Sequence, residues 1–203
     1  MVHIRIEEIE KYAKEKNVPI MQKDGIEFLT NYIKENNIKN ILEIGSAIGY
    51  SAIKMALVDN NIKITTIERD ESRYNTAVEN IKKFNLEDRI NIILGDALDT
   101  NINGMYDLIF IDAAKSQYIK FFEKYELNLK QGGVIVTDNL SFHGLVEDES
   151  KTTNRNTKQL VRKIRKYIDY LKNNNNYETV FYKLGDGIAI SKKKKWFFYF
   201  FLL

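Results

Sequence analysis

The sequence predicts an α/β fold built on one mostly parallel sheet. Between residues 40 and 140, short apolar runs alternate with segments of helical periodicity, as parallel strands and crossover helices require. Glycines punctuate that alternation at Gly45, Gly95 and Gly132-Gly133. A length of 203 residues suits one domain with a full hydrophobic core. Residues 1–192 are expected to form that domain, with 1–36 as a helical lid and 193–203 as a basic, aromatic and disordered tail.

The first 36 residues read as helical, broken at Val18-Pro19 by the only proline, because a proline ring disfavours helix in the residue before it. Asn40–Ile44 is a first strand, followed by a glycine turn and a helix from about Tyr50 to Val58. Ile62–Ile67 is a second strand. Asp70 is a candidate N-cap, and Tyr74, Ala77, Val78 and Ile81 recur with helical spacing, so a helix runs to about Phe84. Ile90–Leu94 and Tyr106–Ile111 are the third and fourth strands. The next helix places Tyr118, Phe121, Phe122, Tyr125 and Leu129 on one stripe and stops at Gly132-Gly133, before a fifth strand at Val134–Thr137. A helix from about Arg155 to Leu171 turns Leu160, Val161, Ile164, Tyr167, Ile168 and Leu171 inward. Tyr177–Tyr182 and Gly187–Ser191 are spaced to pair as an antiparallel hairpin.

Composition excludes several functions. No run approaches the roughly 20 apolar residues that span a bilayer. There are no cysteines, which removes disulfides, thiolate metal sites and cysteine nucleophiles, and a cytoplasmic location is expected. The net charge of +3 is unevenly spread: eight Lys or Arg stand against one acid between Lys151 and Lys172, and four lysines follow at 192–195. A basic patch on an acidic body suggests a localised polyanion contact. The closing KKKKWFFYFFLL reads either as an interfacial anchor or as an irregular extension.

In an open α/β sheet, ligands collect outside the carboxyl ends of the strands. The first strand runs into ILEIGSAIGYS, where Gly45 and Gly49 bracket a tight turn that lacks the dinucleotide pattern G-x-G-x-x-G. The second strand ends in Glu68, whose carboxylate can accept hydrogen bonds from both hydroxyls of a ribose; an acid there is also an ordinary capping residue. Gly95-Asp96-Ala97 ends the third strand beside the place of an adenine. The fourth and fifth end in Asp112 and Asp138-Asn139, oxygen donors suited to a hard divalent cation, magnesium above all, although Asp and Asn are also common turn formers.

Together, EIGSAIGYS, TIERDE, GDALD, FIDAAKSQY, TDN and GDGIAIS resemble the cation-dependent, catechol-type class I O-methyltransferases that use S-adenosylmethionine. The likeness covers roughly residues 5 to 192. Within that family, NLSFHGLV, the basic helix after it and YETVFYKLGDGIAIS are most similar to the bacterial tRNA 5-hydroxyuridine methyltransferases. The resemblance implies a Rossmann-like, seven-stranded, mostly parallel sheet with one antiparallel strand and helices on both faces. It implies that Glu43, Gly45 and Ser51 hold the methionine part of the cofactor, Glu68 the ribose and Asp96-Ala97 the adenine side, with Met21 and Asp112 packed beside it. Asp112, Asp138 and Asn139 match the family's magnesium ligands, and Lys115 its proposed general base. The implied reaction is methylation of the 5-hydroxyl of 5-hydroxyuridine at the tRNA wobble position, giving 5-methoxyuridine. A small catechol-like or caffeoyl-type acceptor is the alternative. Arg155, Lys158, Arg162, Arg165 and Lys166 are expected to face tRNA, His143 stands in the loop after Asp138-Asn139, and a homodimer is expected.

Overall fold

The central strands are apolar on both faces, as strands covered by helices on each side must be. In the computed structural model, which describes residues 2–194, β1 (Asn40–Ile44) and β4 (Tyr106–Ile111) are almost wholly buried. They form the middle of a seven-stranded sheet of order β3-β2-β1-β4-β5-β7-β6, completed by β2 (Lys63–Glu68), β3 (Ile90–Leu94), β5 (Leu129–Thr137), β6 (Tyr177–Tyr182) and β7 (Ile188–Lys193). β7 is the one strand that runs antiparallel to its neighbours. The expected seven-stranded architecture with one antiparallel strand is therefore present.

Two apolar layers cover the sheet. On one face α1 (Val2–Glu15), α2 (Lys23–Glu35), α3 (Tyr50–Ala56) and α4 (Glu71–Lys83) contribute Ile9, Leu29, Ile53 and Ile81 to a core with Ile41 and Phe110. On the other, α5 (Tyr118–Tyr125) and α6 (Arg155–Asn173) bury Phe122, Ile164, Tyr167 and Leu171 against Leu42, Ile109 and Ile135. Helix starts follow local chemistry. Asp70 accepts the N–H of Arg73 and Asn154 that of Thr157, each side chain satisfying an N–H that has no partner within its own helix.

The path after α5 differs from the expected one. The helix ends at Tyr125, a short 3₁₀ turn covers Glu126–Asn128, and Leu129 is already the first residue of β5. Gly132-Gly133 lies inside that strand, at an irregularity where Tyr106 pairs with Leu129 but Leu108 with Val134. A Cβ on Gly133 would sit 2.9 Å from the Asp107 carbonyl, so the glycine serves close strand approach instead of stopping a helix. At the C-terminus, Lys192 and Lys193 belong to β7 and Lys194 donates its N–H to Asn176, so the expected tail begins as sheet; residues 195–203 of that tail lie outside the described residues.

Two features fix the turn between β1 and α3. Gly45 has φ +96°, and a Cβ there would lie 2.2 Å from the Asp112 carbonyl oxygen, so the ends of β1 and β4 meet without space for a side chain. Beneath the turn, Glu43 points to the α3 face and is fully buried. Ser51 Oγ and Thr66 Oγ1 each donate to its carboxyl at 2.5 Å, tying β1 to α3 and β2. Burial pushes the Glu43 carboxyl up to about 7, against the opposing effect of those two hydroxyls.

Two outcomes follow from this turn. Gly45→Ala lowers thermal stability by at least about 2 kcal/mol, combining a left-handed backbone with a backbone clash, and a melting temperature equal to that of the unaltered chain contradicts it. For Glu43, the folded state keeps a proton that the unfolded chain releases near its ordinary value. Its stabilising contribution is full below about 4.5 and is lost as pH rises through about 7. Glu43→Gln, which mimics the protonated acid, removes that decline, worth on the order of 3 kcal/mol. Unfolding curves at pH 5 and pH 8 that shift equally in both proteins would refute it.

Candidate active site

The order of the sheet reverses at β1, whose neighbours β2 and β4 lead away in opposite directions, and a crevice opens at such a reversal. There a cleft of about 310 Å³ lies outside the strand ends, within the range of small-molecule sites. Met21, Gly45, Ser51, Glu68, Asp96, Ala97, Asp112, Lys115 and Asn139 all border it, so the structure brings together residues from five strand ends and the segment before α2. Glu43 and Asp138 do not border it. Both Glu43 oxygens are occupied under the turn, where it orients Ser51, and Asp138 lies buried behind its neighbour Asn139.

At one end of the cleft, Glu68 holds the turn. Its Oε2 accepts the N–H of Ala47 at 2.8 Å and its Oε1 that of Asp70 at 2.9 Å, leaving further lone pairs for a ligand's hydroxyls. Asp96 Oδ1 accepts the N–H of Leu98, and the Ala97 carbonyl accepts the Tyr125 hydroxyl, which together shape the loop after β3. Arg73 in the first turn of α4 and Tyr50 at the start of α3 also line the cleft. Sequence patterns did not single out either one. Tyr50 donates to Glu10 of α1 at 2.8 Å, linking the N-terminal helix to the cleft wall.

The other end is acidic. Asp138 is buried, its Oδ1 has no hydrogen-bond partner, and its backbone carbonyl is fixed by the Tyr118 hydroxyl. Burial, then the neighbouring Asp112, push the Asp138 carboxyl up to about 7, while the Asn139 N–H and Lys115 act against them. Asp112 is also raised, chiefly by burial and further by Asp186, with Lys115 opposing. Lys115, in a 3₁₀ turn ahead of α5, donates its Nζ to Asn139 Oδ1 at 2.6 Å and lies 5.9 Å from the centre of the Phe142 ring. Asn139 itself has φ +61°, and its Nδ2 donates to Asp138 Oδ2 at 3.2 Å.

These residues fit a hard divalent cation. A buried carboxylate oxygen without a partner, beside a second carboxyl and an amide oxygen, lacks a positive charge that one lysine only partly supplies. Among the described residues no cluster of three or more His, Cys, Asp or Glu side chains could hold a metal. Two carboxylates and an amide would supply three oxygen ligands of a hard cation's six, the others coming from water or substrate.

The basic residues of α6 divide. Arg165 donates to the Val146 carbonyl and pairs with Glu149 at 2.9 Å, and Arg162 faces the same carboxylate at 3.4 Å. Arg155, Lys158 and Lys166 form no ion pair among the described residues.

The O-methyltransferase family model matches residues 2–194. Tapetum-specific methyltransferase 1 of Arabidopsis thaliana is 31% identical over 91% of this chain and 82% of its own. Among solved structures, a Staphylococcus aureus protein proposed to be a caffeoyl-CoA O-methyltransferase superposes with a TM-score of 0.89 at 41% identity, covering 93% of this chain and 91% of that one. The O-methyltransferase of Bacillus cereus in complex with SAH is 26% identical, with a TM-score of 0.80 and coverage of 94% and 90%. With its fold and nearly its whole length in agreement, the chain belongs to the O-methyltransferase family, enzymes that draw their methyl group from S-adenosylmethionine.

Proposed function

We propose that this chain methylates a hydroxyl adjacent to a second oxygen, with S-adenosylmethionine between Met21, Ser51, Glu68 and Asp96-Ala97, and Mg²⁺ on Asp112, Asp138 and Asn139. The observation that carries the reading is the buried, partnerless Asp138 Oδ1 close to Asp112 and flanked in sequence by Asn139, both of which line the cleft. When bound, S-adenosylmethionine supplies an electrophilic methyl group, and magnesium a hard charge that favours an oxyanion. The chain's own residues do the rest. Glu68 and Asp96 would hold the nucleoside end, and the turn at Gly45 packs the end of β1 against Asp112, where the methyl-donor side would lie. Lys115 Nζ is the cleft amine within reach of Asn139 and takes the acceptor's hydroxyl proton. Much of the acceleration comes from holding acceptor oxygen and methyl carbon in contact.

A small catechol-like or caffeoyl-type acceptor is the reading we favour, supported by the Staphylococcus aureus relative at 41% identity. A second reading, 5-hydroxyuridine in tRNA converted to 5-methoxyuridine, is supported by Arg155, Lys158 and Lys166, which form no ion pair among the described residues. It is weakened by Glu149, which holds both Arg162 and Arg165. A homodimer in the cytoplasm belongs to the same proposal, on the resemblance and the cysteine-free composition.

Asp112→Ala reduces methyl transfer at least about a hundredfold without loss of the folded state, and chelation abolishes activity that added Mg²⁺ restores. Undiminished turnover in the variant or in chelator removes the metal from the proposal. For the acceptor, mass analysis after incubation with S-adenosylmethionine and Mg²⁺ gives methylated catechol and no new methoxyuridine in tRNA. The opposite pair of results transfers the assignment to tRNA, in which case Lys158→Glu with Lys166→Glu weakens tRNA binding in a salt-dependent way.

A further inference from the structure

Asp186 is a buried acid that the reaction described above does not use. It sits in the turn between β6 and β7, 4% exposed, and its Oδ1 accepts the backbone N–H of His143 at 2.5 Å, with His143 Nδ1 at 3.7 Å. The same turn binds the segment after β5 twice more: the Asp186 carbonyl accepts the Ser141 N–H at 2.7 Å and the Gly187 carbonyl that of Leu140 at 2.9 Å. Gly187 has φ +86°, and a Cβ on it would lie 2.7 Å from the Ser141 nitrogen, so the two backbones touch.

The segment so held is an improbable path for a free chain. Asn139, Phe142 and His143 all have positive φ, at 61°, 48° and 58°, a region that costs side-chain-bearing residues of order 1 kcal/mol or more each. Such a path persists only when its surroundings impose it. It begins at Asn139, which lines the cleft, and sets the Phe142 ring centre 5.9 Å from the Nζ of Lys115, another cleft residue. On its far side the turn is itself anchored, because Asp24 in the first turn of α2 accepts the Gly185 N–H at 2.9 Å.

We propose that Asp186 is a positioning residue: by holding the His143 N–H it fixes residues 139–144 as a preformed wall for the acceptor, while the nucleoside end of the cleft is fixed without it. The wall's role as acceptor wall rests on the methyltransferase reading above. The carboxylate acts as a hydrogen-bond acceptor, a role that an asparagine oxygen can also fill.

The test compares Asp186→Ala, Asp186→Asn and Gly187→Ala in the full chain by three measurements: amide hydrogen exchange, calorimetric SAH affinity, and the KM for whichever of catechol or tRNA the unaltered enzyme methylates. Asp186→Ala speeds exchange across 139–148 and raises the acceptor KM about tenfold or more, with SAH affinity within about twofold. Gly187→Ala, which presses on Ser141 from the same turn, gives the same signature, and Asp186→Asn recovers most of it. The proposal is overturned if exchange in 139–148 is unchanged, if SAH affinity falls in step with the acceptor, or if Asn is as damaging as Ala. Should Asp186→Ala not fold, the other two variants decide on the same criteria. Should the unaltered enzyme methylate neither probe, the acceptor reading fails, and exchange with SAH affinity decides this proposal alone.

Discussion

Two carboxyls, Asp112 and Asp138, stand at the tips of adjacent strands in surroundings that disfavour their charge, and the rest of the site is arranged around that conflict. Burial raises both carboxyls above the ordinary carboxylate range, and Asp112 adds to the effect at Asp138. The fold nevertheless makes their separation impossible. β4 and β5 are paired in register up to Ile111 and Thr137, so the two acids that follow must emerge side by side. Tyr118 and Tyr167 reinforce the pairing from the helical side, one bonding the Asp138 carbonyl and the other the Thr137 hydroxyl. Two buried acids held side by side in this way are the feature on which the proposed cation site rests.

How far the sequence disclosed this depends on the range of the interaction involved. Strand ends are local: an apolar run stopping at Glu68, Asp112 or Asp138 announces a buried strand whose tip reaches the sheet's carboxyl edge, and all three are found there. The stripe of α6 was legible for the same reason, since Val161, Ile164, Tyr167 and Leu171 repeat with the helix's own period. Leu129 shows where that logic fails. It continues the stripe of α5 by count, yet it fills the same core from the first position of β5; an apolar residue at the right spacing marks a place in the core and not the element that reaches it.

Two other residues were hidden for different reasons. Glu43 sits among the turn's conspicuous residues, but strand alternation sends it, between Leu42 and Ile44, to the opposite face from those neighbours, where it supports the site without entering it. Asp186 reads as an ordinary hairpin turn. Its partner, His143, is 43 residues away, and no local pattern carries a contact of that separation. Charge runs are similarly ambiguous in sequence, and only the position of Glu149 sets Arg162 and Arg165 apart from Arg155, Lys158 and Lys166, which form no ion pair among the described residues.

The glycine turn after β1 carries one more consequence. A turn that opens a helix ordinarily offers its N–H groups to a phosphate. Here those of Gly45 and Ser46 are given to the Ile67 carbonyl, that of Gly49 to Ser46, and that of Ala47 to the Glu68 carboxylate, so the protein has installed its own anion where a pyrophosphate would rest. The N–H groups that a phosphate would need at this bend are therefore already committed within the chain, which makes the bend a poor seat for the pyrophosphate of a nicotinamide or flavin dinucleotide.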